Sequence, residues 1–324
     1  MKINDVIKKC IKIPGISIKQ AEYSMELILN TKEGKGSMTF FSLFPGLSLA
    51  YIFINSPTWT APDLRSDSSI TKGPLLLNYC VTGRCEMILN NKNFVYIKDR
   101  ELSLTECFAQ KEYVYPKRIY EGLEFFIDID TFTLQNEFSI DFRKISKMFC
   151  PHGSTYISTA THETEEILKK LWELYDFPAS FAVIQMKIYT LALFSVLQNL
   201  EAIPKSQACT FFTESQVNIA KKVENIITSD LRLHHPAWEL AEYFSISETS
   251  LKNYFRGVYG QNISVYLREM RMNKAGELLA STRLSVAEIA AQVGYLNQSK
   301  FASVFKKHFG VSPLEYRRTR HLDS

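Results

Sequence analysis

The sequence predicts an α+β multidomain protein, with an N-terminal β-barrel carrying a helical layer and a C-terminal all-α domain containing two helix-turn-helix units. Three observations predict it. Short runs rich in Phe, Ile, Tyr and Val, separated by turn clusters, fill residues 38–130 with no helical period between them. From about Phe138 the apolar period changes to that of a helix. Beyond Trp238 the chain echoes itself: Leu240, Ala241 and Phe244 recur at Ile289, Ala290 and Val293, and Leu251, Phe255 and Gly260 recur at Phe301, Phe305 and Gly310. The offset is 49 before the turn (240→289) and 50 after it (251→301), so the second turn holds one extra residue.

Length and composition set the class. A chain of 324 residues exceeds one ordinary core, and 46% hydrophobic with 22% charged residues is globular composition. Residues 216–324 carry 15 Lys and Arg against 10 Asp and Glu, leaving 23 basic and 24 acidic side chains for the rest. The basic excess lies in the back of the chain, which points to a polyanion there. Six scattered cysteines without CxxC or zinc-finger spacing read as buried thiols, although Cys80 and Cys85 could face each other across a hairpin. There is no secretory h-region near the start. The most apolar run, Phe181 to Leu197, is broken by Gln185 and Lys187 and falls short of the roughly 18 residues that suggest a span. The expectation is a cytoplasmic protein with no membrane partner.

Taken in order, Lys2 to Ile13 is a short helix or arm that ends at Pro14-Gly15. Leu75 to Val81 and Arg84 to Leu89 read as a hairpin, with Thr82-Gly83 as its two-residue turn. Asn90-Asn91-Lys92-Asn93 makes the next turn, and Phe94 to Ile97, Glu101 to Thr105 and Leu123 to Ile129 are further strands. Asp141 to Phe149 and His162 to Tyr175 are amphipathic helices, and Phe181 to Leu200 is a helix apolar nearly all round, hence buried in its own domain or against a partner. The implied boundaries are 1–135 for the barrel, 136–203 for a helical dimerisation layer, 204–212 for a linker and 213–324 for the helical domain. Thr213-Glu214-Ser215-Gln216 has capping-box spacing and marks the start of the last.

A helix-turn-helix needs a small residue in its first helix and a permissive one at the turn. Ala241 and Ala290 supply the first requirement, and Gly294 supplies the second; Ser245 holds that place in the earlier unit, at a cost if φ there is positive. Leu251, Tyr254 and Phe255 anchor the first recognition helix, leaving Ser247, Glu248, Thr249, Ser250, Lys252, Asn253 and Arg256 outward. Phe301, Val304 and Phe305 anchor the second, leaving Asn297, Gln298, Ser299, Lys300, Ser303, Lys306 and Lys307 outward. Asn and Gln suit adenine, Arg and Lys suit guanine, and Ser and Thr more often hold phosphates. The bland alternative for each side chain is a solvated helix face. Ser264 to Ala280 makes a helix of about 25 Å at 1.5 Å per residue, a strut between the two units.

These residues resemble the DNA-binding domain of the AraC/XylS family of bacterial transcription regulators. The similarity runs through Ser285-Val286-Ala287-Glu288-Ile289-Ala290, Val293-Gly294-Tyr295, Ser299-Lys300-Phe301, Phe305-Lys306-Lys307, Phe309-Gly310-Val311-Ser312-Pro313 and Tyr316-Arg317, and through Tyr266 to Met272 in the strut. Leu251-Lys252 to Val258-Tyr259-Gly260 is more similar to the branch that includes siderophore-responsive regulators. Departures are Ser245 and Pro236, where Ser or Thr is commoner. The resemblance implies a cupin-like effector barrel in front of a dimerisation layer. It also implies double-stranded promoter DNA and RNA polymerase as partners, a homodimer, and an activator controlled by a small molecule.

For the barrel, an enzyme is the rival reading. The histidines are His152, His162, His234, His235, His308 and His321, none within 38–130, so a His-based metal site or a Ser/His/Asp centre in that stretch has no ligand or base. No cofactor and no catalysis are expected. Tyr79, Arg84, Glu86, Tyr96 and Tyr115 are candidate effector-binding residues, each with ordinary strand packing as its alternative.

Overall fold

The structure is a computed structural model describing residues 13–60, 75–89, 93–105, 112–134, 138–150, 155–200 and 211–321. It divides into two compact units, 1–211 and 212–324. The Lys2–Ile13 arm except its last residue, most of the 90–93 turn, the linker except its last two residues, and Cys10, Cys107, Cys209 and His152 lie outside the described residues.

The first unit is a curled antiparallel sheet, a half-barrel. Its main path runs β1 (Ile16–Gln20), β2 (Met25–Asn30), β3 (Lys35–Phe44), β4 (Leu47–Asn55), β10 (Ile119–Ile127), β6 (Leu75–Ile88), β8 (Glu101–Thr105) and β11 (Tyr156–Thr159). Three shorter strands, β5 (Thr58–Thr60), β7 (Phe94–Lys98) and β9 (Glu112–Val114), extend the curl beside β6. The sheet starts at Ile16 rather than near Met38. β1 and β2 sit at its margin and are too short to stand out: β1 alternates, as in Ile16-Ser17-Ile18-Lys19, but spans only five residues.

The two-residue pleat sorts this sheet into two cores. Leu49 and Tyr51 of β4, Leu75, Leu77 and Tyr79 of β6, and Leu123, Phe125 and Ile127 of β10 face helices α1 (Ile129–Leu134), α2 (Phe142–Phe149), α3 (His162–Glu173) and α4 (Ala179–Gln198). Their alternates Ala50, Ile52, Leu76, Cys80 and Phe126 face the concave side with Leu27, Trp59, Cys85 and Ile97. The helical side is aromatic: Phe125 meets Phe194 edge-on at 5.5 Å, Phe194 meets Phe142 at 4.6 Å, and Tyr51 Oη donates to the Leu171 carbonyl at 2.5 Å.

The predicted 75–89 hairpin is corrected to one continuous fourteen-residue strand. Thr82-Gly83 is a bend, not a turn. Up to Gly83 the strand pairs with β10 and in part with β8, and from Arg84 it pairs with β7, so the chain changes partners without reversing. Gly83 has φ 103°, and a Cβ there would stand 2.2 Å from the Ile119 carbonyl oxygen. Cys80 and Cys85 therefore lie along one strand; they and Cys150 are buried thiols, and the Cys150 thiol donates to the Leu104 carbonyl at 3.2 Å.

Helix α4 spans twenty residues, and an eighteen-residue window within it, with mean hydropathy 1.6, is apolar enough by composition to cross a bilayer, so the apolar run is longer than the sequence suggested. Ala182, Met186, Leu193, Phe194 and Leu197 bury one face against the sheet domain, as a core helix does.

The second unit is helical: α5 (Glu214–Ser229), α6 (Ala237–Tyr243), α7 (Glu248–Tyr259), α8 (Ile263–Ser281), α9 (Val286–Gln292), α10 (Gln298–Phe309) and α11 (Pro313–His321). The expected capping box is present, with Thr213 and Gln216 satisfying each other's backbone N–H at the start of α5. Ser285 with Glu288 repeats it at α9.

Candidate nucleic-acid interface and N-terminal cavity

The internal repeat is a repeat of hydrogen bonds as well as of letters. After α6 the Ser245 N–H donates to the Glu242 carbonyl at 2.9 Å and Ile246 N–H to Ala241 at 3.0 Å. After α9, Gly294 N–H donates to Ala291 at 3.1 Å and Tyr295 N–H to Ala290 at 2.8 Å. Both turns need a left-handed residue, and φ is 53° at Ser245 and 82° at Gly294. The extra residue of the second unit is Leu296, wholly exposed between Tyr295 and the cap Asn297.

Behind each turn the same aromatic triad locks the outward helix to the helix that follows it, α7 to α8 and α10 to α11. Phe255 and Tyr259 lie 4.6 Å apart with Tyr266 edge-on to Phe255 at 5.4 Å. Phe305 and Phe309 lie 4.6 Å apart with Tyr316 edge-on to Phe305 at 5.4 Å. Leu251, Phe255, Phe301 and Phe305 are fully buried, each stabilising by roughly 1.5–3 kcal/mol relative to exposure. Helix α8 spans nineteen residues, about 28 Å at 1.5 Å per residue. Tyr266 on its first half belongs to the first triad, while Gly276 on its second half lies under Phe309.

Anchored this way, α7 and α10 turn their other faces outward. Ser247, Thr249, Lys252, Asn253 and Arg256 are exposed, and Glu248 and Ser250 are half-buried. Asn297, Gln298, Ser299, Lys300, Ser303, Lys306 and Lys307 are all exposed. Two of these cap their own helices: Ser247 Oγ accepts from the Ser250 N–H at 3.1 Å, and Asn297 Oδ1 accepts from the Lys300 N–H at 2.9 Å. Each is the N-cap of its helix, so its first role is to hold the helix start. Lys252 is paired with Glu248 one turn back, an exposed ion pair that costs little to open. The second turn is braced from behind: Arg271 donates to the carbonyls of Leu231 at 2.8 Å and Leu233 at 3.0 Å, and its guanidinium lies 5.8 Å from the Tyr295 ring centre. Burial lowers the Arg271 pKa, and the Tyr295 hydroxyl opposes that shift.

In the first unit the concave side of the sheet lines a partly open cavity. Apolar and aromatic walls (Ile52, Trp59, Leu76, Ile97, Tyr113) meet a few polar groups, Asn78, Ser103, Thr105, Tyr120 and Glu124. Of the five candidates named from the sequence, Tyr115 lines this cavity. The other four lie away from it. Tyr79 packs into the helix-side core; on β6, Cys85 and Met87 take the cavity side and leave Arg84 and Glu86 on the opposite face. There Tyr96 Oη donates to Glu86 Oε2 at 2.6 Å, and Arg84 lies 5.2 Å from the Tyr96 ring centre, a buried brace.

Sequence reasoning missed Glu124. It occupies the middle of β10, between Leu123 and Phe125, and pairs with Ala50 on one side and Asn78 on the other. Its half-exposure is onto the cavity. Burial pushes its carboxyl up to about 7, partly countered by a hydrogen bond from Asn78. Tyr120 Oη donates to Asn78 Oδ1 at 2.6 Å, which turns the Asn78 amide N–H₂ toward the carboxylate. The signal was a carboxylate set between apolar neighbours, Leu123 and Phe125, in the stretch Leu123 to Ile127.

Residues 240–319 match the family described as a helix-turn-helix domain. Among characterised proteins, the chain is 32% identical over 128 residues to the transcriptional regulator SirC of Salmonella typhimurium, covering 39% of this chain and 43% of SirC. It is 30% identical over 176 residues to the HTH-type transcriptional activator CfaD of Escherichia coli, and 29% identical over the same length to the DNA-binding dual transcriptional regulator Rns, covering in both cases 53% of this chain and 62% of the relative. The chain thus spans about half the length of the curated relatives it matches. Among solved structures, the C-terminal domain of AraT, a response regulator from Geobacillus stearothermophilus, is 37% identical over 32% of this chain and 85% of that one, with a TM-score of 0.30.

Proposed function

We propose that this chain, whose C-terminal unit is an AraC-type helix-turn-helix domain, is a sequence-specific transcription regulator that works in the cytoplasm, reads promoter DNA through α7 and α10, and acts with RNA polymerase as an activator. The observation that carries the reading is the pair of equivalent turns and triads, which present two outward polar helix faces from one strut. Two recognition helices on a strut of about 28 Å suit successive major grooves about 34 Å apart, so one chain makes a contact that single helix-turn-helix proteins make as dimers. Arg256→Ala and Lys300→Ala will each weaken binding to a cognate promoter fragment by about 1–3 kcal/mol where the side chain reads a base. Electrophoretic mobility titration at fixed salt is the measurement, and unchanged affinity in both variants would remove these faces from the interface.

The reading extends to a homodimer formed through α4. Phe181, Ile184 and Ile188 succeed one another at spacings of three and four, each about half exposed or more, and Phe177, just before the helix, lies beside Phe181 with ring centres 5.9 Å apart. Such a stripe is one helix face, the width of a helix–helix seam. Ile184→Glu places a charge in its middle; sedimentation equilibrium is expected to find the parent dimeric and the variant monomeric, and a monomeric parent would refute the seam. In the same reading the cavity receives the small-molecule effector. A metabolite that raises the melting temperature of the intact chain, and no longer does so once Leu76→Trp fills the cavity, is the expected result; no such metabolite would count against an effector.

A further inference from the structure

The cavity described above has a specific electrical character. Among the described residues that line it there is one carboxylate, Glu124, and no lysine, arginine or histidine. A carboxylate walled into an apolar cavity without a basic partner is costly, and protein interiors keep such groups where a bound partner completes them. Here the carboxylate is also aimed. Tyr120 fixes Asn78, Asn78 fixes Glu124, and all three line the cavity. The surrounding Trp59, Tyr113 and Tyr115 offer flat apolar faces and electron-rich rings, which attract an organic cation as well as an aromatic ring.

We infer that the cavity is a site for a small aromatic or aliphatic primary amine, whose ammonium group pairs with Glu124 and whose apolar body lies against Trp59 and the tyrosines. This rests on the reading of the cavity as the effector site and adds the ligand's charge. A free carboxylate of the same shape would meet Glu124 with like charge and no cation to answer it. A neutral alcohol would satisfy one hydrogen bond and leave the charge unpaired.

The pairing has a pH signature. The titratable groups facing Glu124 are Cys85 and Tyr115 across the cavity and Tyr120 on its own strand, and burial raises all three. They stay neutral while Glu124 titrates near 7. An alkyl ammonium is protonated throughout, so its affinity follows the ionised fraction of Glu124 and rises about tenfold from pH 6 to pH 8.

The test uses the full chain with three probes of one shape: phenethylamine, 2-phenylethanol and 3-phenylpropionate, each titrated by calorimetry and thermal melting. The expected result is that phenethylamine binds most tightly and 3-phenylpropionate least. Glu124→Gln, nearly isosteric, is expected to cut the amine's affinity by about tenfold and to leave the alcohol's within about twofold. The rise with pH in the parent chain checks the same assignment without any substitution. Tighter binding of the carboxylate, an amine affinity flat in pH, or an undiminished amine preference in Glu124→Gln would overturn the amine while leaving the cavity a receiving site. Binding of none of the three would overturn the amine as well; if no metabolite stabilised the chain either, the effector reading would fall with it.

Discussion

Gly294→Ala is expected to destabilise the C-terminal unit by about 2–4 kcal/mol and to abolish promoter binding. The backbone there is left-handed at φ 82°, a conformation that costs an L-residue about 1–2 kcal/mol. The added methyl would also stand 2.6 Å from the Leu231 carbonyl oxygen and 2.9 Å from Arg271 Nη2, the two groups that brace this turn. The loop and the arginine cannot both retreat without breaking their own hydrogen bond. Urea unfolding followed by far-UV circular dichroism measures the loss, and a change below about 0.5 kcal/mol would show that the turn is not held by this contact. The first unit makes the reverse prediction. Ser245 already sits left-handed at φ 53°, so Ser245→Gly should relieve strain and raise stability by about 0.5–1 kcal/mol after the entropy of the added glycine is counted.

Gly83→Ala is expected to have the largest effect in the N-terminal unit, about 3 kcal/mol or more. Its φ of 103° is essentially reserved for glycine, and a Cβ would lie 2.2 Å from the Ile119 carbonyl oxygen and 2.9 Å from Tyr120 Cα, both on the neighbouring strand. The strain falls where β6 changes partners, so relieving it means parting β6 from β10, the most central pairing of the sheet. The two units need not melt together, so the probe must belong to this one. Trp59 and Trp172 report on it: Trp59 is buried on the concave side, and Trp172 packs 5.1 Å from Phe53. A melting temperature by tryptophan fluorescence within a degree of the parent's would contradict the assignment.

What could be read from the letters depended on whether a signal was periodic or solitary. Helices α7 and α10 were legible because Leu251, Phe255, Phe301 and Phe305 repeat at helical spacing and at a constant offset, so each stretch corroborates the other. The bend at Gly83 was misread because a glycine with positive φ looks the same in a hairpin turn and in a strand that kinks; only the pairing of Arg84 with Lys98 rather than with residues before the glycine tells them apart. Tyr79, Arg84, Glu86 and Tyr96 were chosen by chemical type, but parity along the strand decides the face, and the parity shared by Asn78, Tyr120 and Glu124 became visible once the register was known. Short marginal strands such as β1 and β11 carry too few residues to declare a period at all.

Parity also has a mechanical meaning. The wall between cavity and helices is one pleated sheet thick, and on β10 the side chains that face the two compartments are sequence neighbours. Glu124 looks into the cavity while Phe125 rests on Phe194 of α4, the helix whose outer stripe carries the proposed seam. A peptide plane that tilts to meet a ligand on one side carries the next ring with it on the other. On the proposed reading, the distance a signal would travel from the chamber to the helix layer is a single peptide unit, short enough that no relay of intervening residues is required.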